Sequence, residues 1–310
     1  VKEFYNAPEP SRGWGIVLSN WRIVASLGQG GTAVVSRVEH RFTGVSRVLK
    51  LARSPETSGA VLAEVRALRS LRHPALPIVE ACGIDEQGRA WLVREALEGV
   101  ALDAWLKEHR AQPSAVLGLL DQALDLAVHL ASVGYVHGDL KPANLLVRDL
   151  DGRPRLAVLD LGNDGDVLTP AFATPERLAG TARPEPSDDL FALAVSFWVG
   201  LSEQHPLPGY PLAHDAREVE VPPGDPVAAF LAPLLTLDRS RRIATQDAVL
   251  RHREATWPQC EPLPLAGTLA WRARFAPDAG LHAAAREGLG AWLREPAEGV
   301  AVATLQAAQG

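Results

Sequence analysis

HGDLKPANLL, residues 137–146, is the stretch on which the fold turns. It sets Gly138, Asp139, Lys141 and Asn144, residue types that shape or hold a polar site, directly against an apolar Leu-Leu pair. Of the 31 Lys and Arg residues only Lys2, Lys50, Lys107 and Lys141 are lysine, and the rest are arginine. A chain that uses arginine nearly everywhere keeps lysine at 141. The two cations differ physically: guanidinium is a wide planar fork, ammonium a compact point charge, and a site that needs the second rejects the first.

Upstream of this stretch, WRIVASL, AVVSRVEHR and SRVLKLA are short β-branched runs separated by GQGGT and FTG, which predicts an antiparallel meander over residues 21–51. From about Thr57, Val61, Leu62, Val65, Leu68 and Leu71 recur at three- and four-residue spacing and predict an amphipathic helix. LPIVEACGI and RAWLVREAL predict two further strands. From about Leu102 the period becomes helical: LDAWLKEHR is a short helix, and SAVLGLLDQALDLAVHLASVG is a longer one ending at Gly134. Downstream, DDLFALAVSFWVGL is apolar on nearly every side and predicts a helix at the centre of the second lobe. Residues 227–251 give two more amphipathic segments, so the second lobe is expected to be mainly helical. After His252, WPQCEPLPLAG has the proline density of a stiff linker, and residues 279–294 return to a helical pattern.

The 310 residues suffice for two lobes of roughly 250 residues with a remainder. The expected division is an arm at 1–20, a strand-rich lobe at 21–97, a helical lobe at 98–255 and an extension at 256–310. A composition 47% hydrophobic and 22% charged fits a soluble enzyme. The net charge of −6 supplies no basic surface for general nucleic-acid binding. Cys82 and Cys260 offer neither a disulfide framework nor metal-ligand spacing, which suits a reducing compartment. No apolar run approaches the ~18 residues of a membrane span, and residues 1–20 lack a signal-peptide pattern. The expectation is a cytoplasmic protein without a membrane segment.

LGQGGTAVV, residues 27–35, lies between two predicted strands. The glycines of a dinucleotide fingerprint would instead open a helix whose N-terminus holds the pyrophosphate. By itself the stretch reads either as a plain hairpin turn or as a glycine hairpin over phosphates. Lys50, in apolar RVLKLA, adds a strand lysine pointing inward, and a buried ammonium needs an anionic partner. Glu64 is a candidate partner on the following helix.

Taken together, these residues resemble the eukaryotic-type (Hanks-type) serine/threonine protein kinases, a family bacteria also encode. The family's glycine loop matches Gly28 and Gly30, with Ala33 in place of the third glycine and Val35 as the hydrophobic closure. Its strand lysine matches Lys50 and its helix glutamate matches Glu64. HGDLKPAN resembles the catalytic loop. The resemblance implies that Asp139 orients the acceptor hydroxyl, that Lys141 neutralises the transferring phosphoryl group, and that Asn144 and Asp160 hold the metal. LTPAFATPE, residues 168–176, resembles the substrate-binding loop, with Glu176 expected to pair with Arg242. Asp189 resembles the aspartate that steadies the catalytic loop. Leu27, Val35, Val48 and Leu146 would sandwich adenine, with backbone hydrogen bonds from Glu95 and Leu97.

The implied fold is α+β and bilobal, with an antiparallel sheet and one helix in the N-lobe and a helical C-lobe. The implied activity is transfer of the ATP γ-phosphate to serine or threonine hydroxyls of protein substrates, with ATP and Mg2+ (or Mn2+) as cofactors. A kinase-shaped scaffold without turnover and a small-molecule phosphotransferase stand as alternatives, and the extension is a candidate docking element for a partner. Three departures from the family stand out. Gly138 replaces the usual loop arginine, so activation without loop phosphorylation is expected. Asp164 and Asp166 would face Arg66, Arg69 or Arg72 in place of a phosphate, or both faces are merely solvated. Arg94 stands where an uncharged residue is usual, and buried there it would need Glu64 or Asp160 as partner.

Overall fold

The computed structural model describes residues 20–150, 152–161, 168–212, 219–243 and 250. Two compact units divide the chain, Val1–Cys260 and Glu261–Gly310, and every described residue belongs to the first. Residues 1–19 of the expected arm at 1–20, Gly162, the pairing of Asp164 and Asp166 with the α-helical arginines, and the extension from 256 lie outside the described residues.

Five strands form an antiparallel sheet in the order β1-β2-β3-β5-β4: β1 Trp21–Gln29, β2 Ala33–His40, β3 Ser46–Ala52, β4 Val79–Ile84 and β5 Ala90–Glu95. The β2–β3 register pairs Val35 with Lys50, and β3–β5 pairs Lys50 with Leu92 and Val48 with Arg94. Residues directly opposite in a ladder share a face. Ala33, Val35, Val48, Lys50, Ala52, Ala90, Leu92 and Arg94 therefore line the inner face. Alternation sends Leu49, Leu51, Trp91 and Val93 to the other side, where they pack with Trp21 and Val38 in a second, smaller core.

Helix α1, Ser58–Ser70, lies between β3 and β4 in the chain and buries Val61, Glu64, Val65 and Leu68. Glu64 stands three residues after Val61 and four before Leu68, so helical geometry alone puts its carboxylate on the apolar face. Ser58 fixes the helix start against the sheet, its hydroxyl accepting from the Ala90 amide at 2.9 Å.

The second lobe holds α2 Leu102–His109, α3 Pro113–Ser132, a short α4 Pro175–Leu178, α5 Pro186–Ser202 and α6 Pro226–Leu231. Helix α3 ends as its sequence requires: Gly134 takes φ +71 and the Tyr135 amide closes back on the Leu130 carbonyl at 2.9 Å. Helix α5 is buried nearly throughout, with Phe191 and Phe197 fully inside. Truncating either to alanine would cost about 3–5 kcal/mol. Its contact with α2 depends on Gly200, where an added Cβ would lie 2.6 Å from Leu106 Cδ1.

The second lobe is mainly helical as expected, and one expectation needs correction. Unanticipated in that lobe, β6 Val100–Ala101, β7 Leu145–Leu150 and β8 Arg153–Val158 form a small antiparallel sheet, order β6-β7-β8. These strands are short, and β7 and β8 also carry charged residues, so periodicity does not announce them. Helix α3 is also long and apolar enough to cross a membrane by length and composition, against the expectation that no run qualifies. It packs against α5 and β8 instead, with 67% of that window buried inside the protein.

Candidate active site

Lys50 is drawn to two carboxylates at once. Its Nζ lies 2.6 Å from Glu64 Oε2 and 2.6 Å from Asp160 Oδ1. Strand β3 supplies the lysine, the buried face of α1 the glutamate, and the turn after β8 the aspartate. Burial alone would depress the lysine pKa, but the two carboxylates overcome it and hold the ammonium above its ordinary value. Glu64, 1% exposed, is pushed up chiefly by burial, and Lys50 and then Arg94 oppose that shift. Its ionised form therefore depends on cations held close by. Asp160 differs, with its side chain half exposed and facing the cleft.

The catalytic-loop candidates converge on Asp139. Asp139, buried, accepts from Lys141 Nζ at 2.7 Å and from Asn144 Nδ2 at 3.2 Å on Oδ2, while the Thr169 hydroxyl donates to its Oδ1 at 2.6 Å. Lys141 also donates to Thr169 Oγ1 at 2.8 Å. The loop backbone is fixed from α5, where the Asp189 carboxylate accepts from the His137 and Gly138 amides, each at 2.8 Å. Burial pushes the Asp189 carboxyl up to about 7, against the two N–H groups that favour its charged form. Gly138 takes φ +77, a conformation that costs an L side chain roughly 1–2 kcal/mol, so glycine in place of arginine suits this backbone. His137 is buried and burial depresses its pKa, which makes it a neutral packing residue.

Asn144 and Asp160 come from neighbouring segments that are tied together: the Leu159 amide donates to the Asn144 carbonyl at 2.9 Å. Among the described residues no three His, Cys, Asp or Glu side chains cluster as a self-sufficient metal cage. One carboxylate and one amide suit magnesium, which keeps waters and takes substrate phosphate oxygens rather than an all-protein shell. The glycine hairpin points the same way. A Cβ at Gly28 or Gly31 would meet no protein atom within 4 Å, and at Gly30 only the Ala33 carbonyl at 3.8 Å. Packing within the chain does not demand these glycines; close approach of a ligand to the backbone would.

The adenine candidates lie on strands of both sheets. Leu27 is exposed on β1, Val35 half-buried on β2, Val48 buried on β3, and Leu146 half-buried on β7. The Glu95 amide already donates to the Ile78 carbonyl at 2.9 Å, so a base contact at Glu95 falls to its carbonyl. Its side chain accepts from Arg148 Nη1 at 3.0 Å. Leu97 is half-buried two residues on. Arg94 is buried, with Nε 3.6 Å from Glu64 Oε1 and Nη2 donating to the Leu159 carbonyl at 2.6 Å.

The substrate-loop stretch is anchored to the second lobe. Arg242 reaches Glu176 with Nη1 at 2.6 Å from Oε1 and Nη2 at 3.3 Å from Oε2, and its guanidinium lies over the Phe191 ring. Thr174, fully buried, donates to Asp188 Oδ1 at 2.9 Å. His205 Nε2 lies 2.8 Å from the Ala171 carbonyl, and the Tyr210 hydroxyl donates to the Ala173 carbonyl. Sequence reasoning missed Thr169, His205 and Tyr210. Thr169 had a signal, as a hydroxyl at the start of the substrate-loop stretch; His205 and Tyr210 had none, since both act across more than 30 positions of chain.

A family model described as the protein kinase domain matches residues 21–253. The chain is 30% identical over 243 residues to the serine/threonine-protein kinase Pkn1 of Myxococcus xanthus, covering 70% of this chain and 34% of the relative. It is 31% identical over 196 residues to serine/threonine-protein kinase D2 of Rattus norvegicus, 58% of this chain and 22% of that one. Sperm motility kinase 3A of Mus musculus is 29% identical over 189 residues, 56% and 36% respectively. The chain thus spans about a third or less of the length of these curated relatives.

Proposed function

The chain belongs to the protein kinase domain family, and on that premise we propose that it transfers the γ-phosphate of ATP to serine or threonine hydroxyls of protein substrates. The observation that carries this reading is Lys50 held 2.6 Å from both Glu64 and Asp160, with the Asp160 segment tied to the Asp139–Lys141–Asn144 cluster through the Leu159 amide and the Asn144 carbonyl. An arrangement of two ammonium groups and a carboxylate–amide pair around one cleft supports phosphoryl transfer by positioning and charge stabilisation rather than covalent chemistry.

Each residue then has a task. Lys50, steadied by Glu64, orients the α- and β-phosphates. Asp160 and Asn144 hold magnesium, which supplies charge neutralisation along the phosphate chain. Asp139 accepts a hydrogen bond from the acceptor hydroxyl and orients it. Each of its oxygens has two lone pairs, so the bonds from Thr169, Lys141 and Asn144 leave room for one more donor. Lys141 faces the position the transferred group would occupy. Leu27, Val35, Val48 and Leu146 sandwich adenine, with Glu95 and Leu97 along its polar edge. Residues 21–97 and 98–255 are the two lobes in this reading, and no phosphate on the activation segment is needed.

The test is incubation of the purified chain with magnesium and labelled ATP, followed by mass-spectrometric mapping of phosphorylated residues. Incorporation on serine or threonine, lowered on the order of 10²-fold or more in Asp139→Asn, supports the reading. Equal incorporation by both proteins contradicts it and favours a scaffold without turnover.

A further inference from the structure

Arg94 is expensive for stability. Removing a guanidinium from water costs several kcal/mol after relaxation, and a well-packed apolar residue often serves a buried position as well or better. Arg94 is only 7% exposed, and its Nε and Nη1 make no hydrogen bond. Its two close partners are the Leu159 carbonyl at 2.6 Å and the Glu64 carboxylate at 3.6 Å. These belong to different parts of the site: Glu64 lies on α1, and Leu159 immediately precedes Asp160.

Register explains how one side chain reaches both. Arg94 lies opposite Val48 on the inner face of the sheet, next to the Lys50–Leu92 pair. The result is a row of alternating charge, Arg94–Glu64–Lys50–Asp160, that sums to zero. The backbone of the Asp160 segment is pinned at three consecutive points. The Val158 amide donates to Ala75 in the loop after α1, the Leu159 amide donates to Asn144, and the Leu159 carbonyl accepts from Arg94. Only the last of these comes from the sheet. Lysine is a poorer fit, because its three donors converge on one nitrogen, whereas the planar fork spreads separate nitrogens towards a carbonyl and a carboxylate on different elements.

We propose that Arg94 is a positioning residue that couples α1 to the Asp160 segment, holding Glu64 and Asp160 on either side of Lys50 without help from a loop phosphate or a partner protein. This rests on the phosphotransferase reading for its consequence to turnover, but not for the coupling itself. When Lys50 and Asp160 engage nucleotide and metal, Glu64 keeps a second cation beside it. Arg94 thus adds to the hold of Lys50 on α1.

The test uses the full chain, nucleotide-free, with hydrogen–deuterium exchange read over 58–70 and 156–161. In Arg94→Leu, exchange in both segments rises about tenfold while α5 and β7 stay unchanged; Arg94→Lys protects 58–70 but not 156–161. With magnesium and ATP, kcat falls roughly 10- to 100-fold in Arg94→Leu, the KM for ATP moves less than about threefold, and Arg94→Lys recovers part of kcat. Unchanged exchange in both segments overturns the proposal. So does a uniform rise across both lobes in Arg94→Leu and Arg94→Lys alike, which marks general destabilisation. If the unaltered chain transfers no phosphate while the segment-specific exchange changes appear, the phosphotransferase reading fails and the coupling stands.

Discussion

Thr169, from the substrate-loop stretch, bonds directly to Asp139. Its hydroxyl donates to Asp139 Oδ1 and accepts from Lys141, so it fixes both groups at once. Removing that hydroxyl leaves a charged pair with one fewer partner, a loss worth about 1.5–3 kcal/mol for hydrogen bonds to charged groups. Thr169→Ala is expected to lower kcat roughly tenfold, with Thr169→Ser within about threefold of the unaltered chain, in a steady-state assay with magnesium and ATP. Equal rates for all three would remove Thr169 from the site. Thr174 is a poorer candidate for modification than its hydroxyl suggests, since it is fully buried on Asp188.

Helix α3 carries a titratable contact at its C-terminal end. His129 stacks at a tilt on His73, from the loop after α1, with ring centroids 5.4 Å apart, and His73 Nε2 lies 3.5 Å from Asp125 Oδ2. Burial, and then the neighbouring His73, lower the His129 pKa from 6.5 to about 4, with Asp125 opposing. The unfolded chain therefore binds a proton that the folded one refuses. This contribution to stability is complete above pH 6.5 and is lost as the pH falls towards 4. Denaturant midpoints measured from pH 7.5 to 4.5 should drop less steeply in His129→Gln than in the unaltered chain. Parallel curves would mean that the ring titrates normally. At this scale periodicity served well for α1, α3 and α5, whose apolar stripes bury as read. It failed for β6, β7 and β8, because β6 has only two residues, β7 sets Arg148 and Asp149 side by side after an apolar start, and β8 opens on Arg153 and Pro154, so none carries a distinctive period.

Across the whole lobe, the substrate-loop stretch is held by the Glu176–Arg242 pair, whose arginine side chain is fully buried. Arg242 also donates to the Thr236 and Leu237 carbonyls, so it ties the segment after α6 to α4. Arg242→Met leaves Glu176 without its cation and should destabilise by about 3–5 kcal/mol in urea unfolding, with much of that recovered in the Glu176→Gln, Arg242→Met double variant. Additive losses would show that the two act separately. Chemistry-bearing residues with restrictive geometry were legible from the sequence alone: Lys50 and Lys141 as the lysines an arginine-rich chain retains, Asp139 and Asn144 in one loop, Glu64 on an apolar helix face, and a bilobal α+β order of strands and helices. What folding alone decided is which distant groups meet. Arg94 selects Glu64 and Leu159, Thr169 selects Asp139, and His205 and Tyr210 reach carbonyls of the substrate loop. Local spacing fixes the face a side chain takes on its own helix or strand, whereas its partner depends on how separate elements pack, and that information is spread over the entire core.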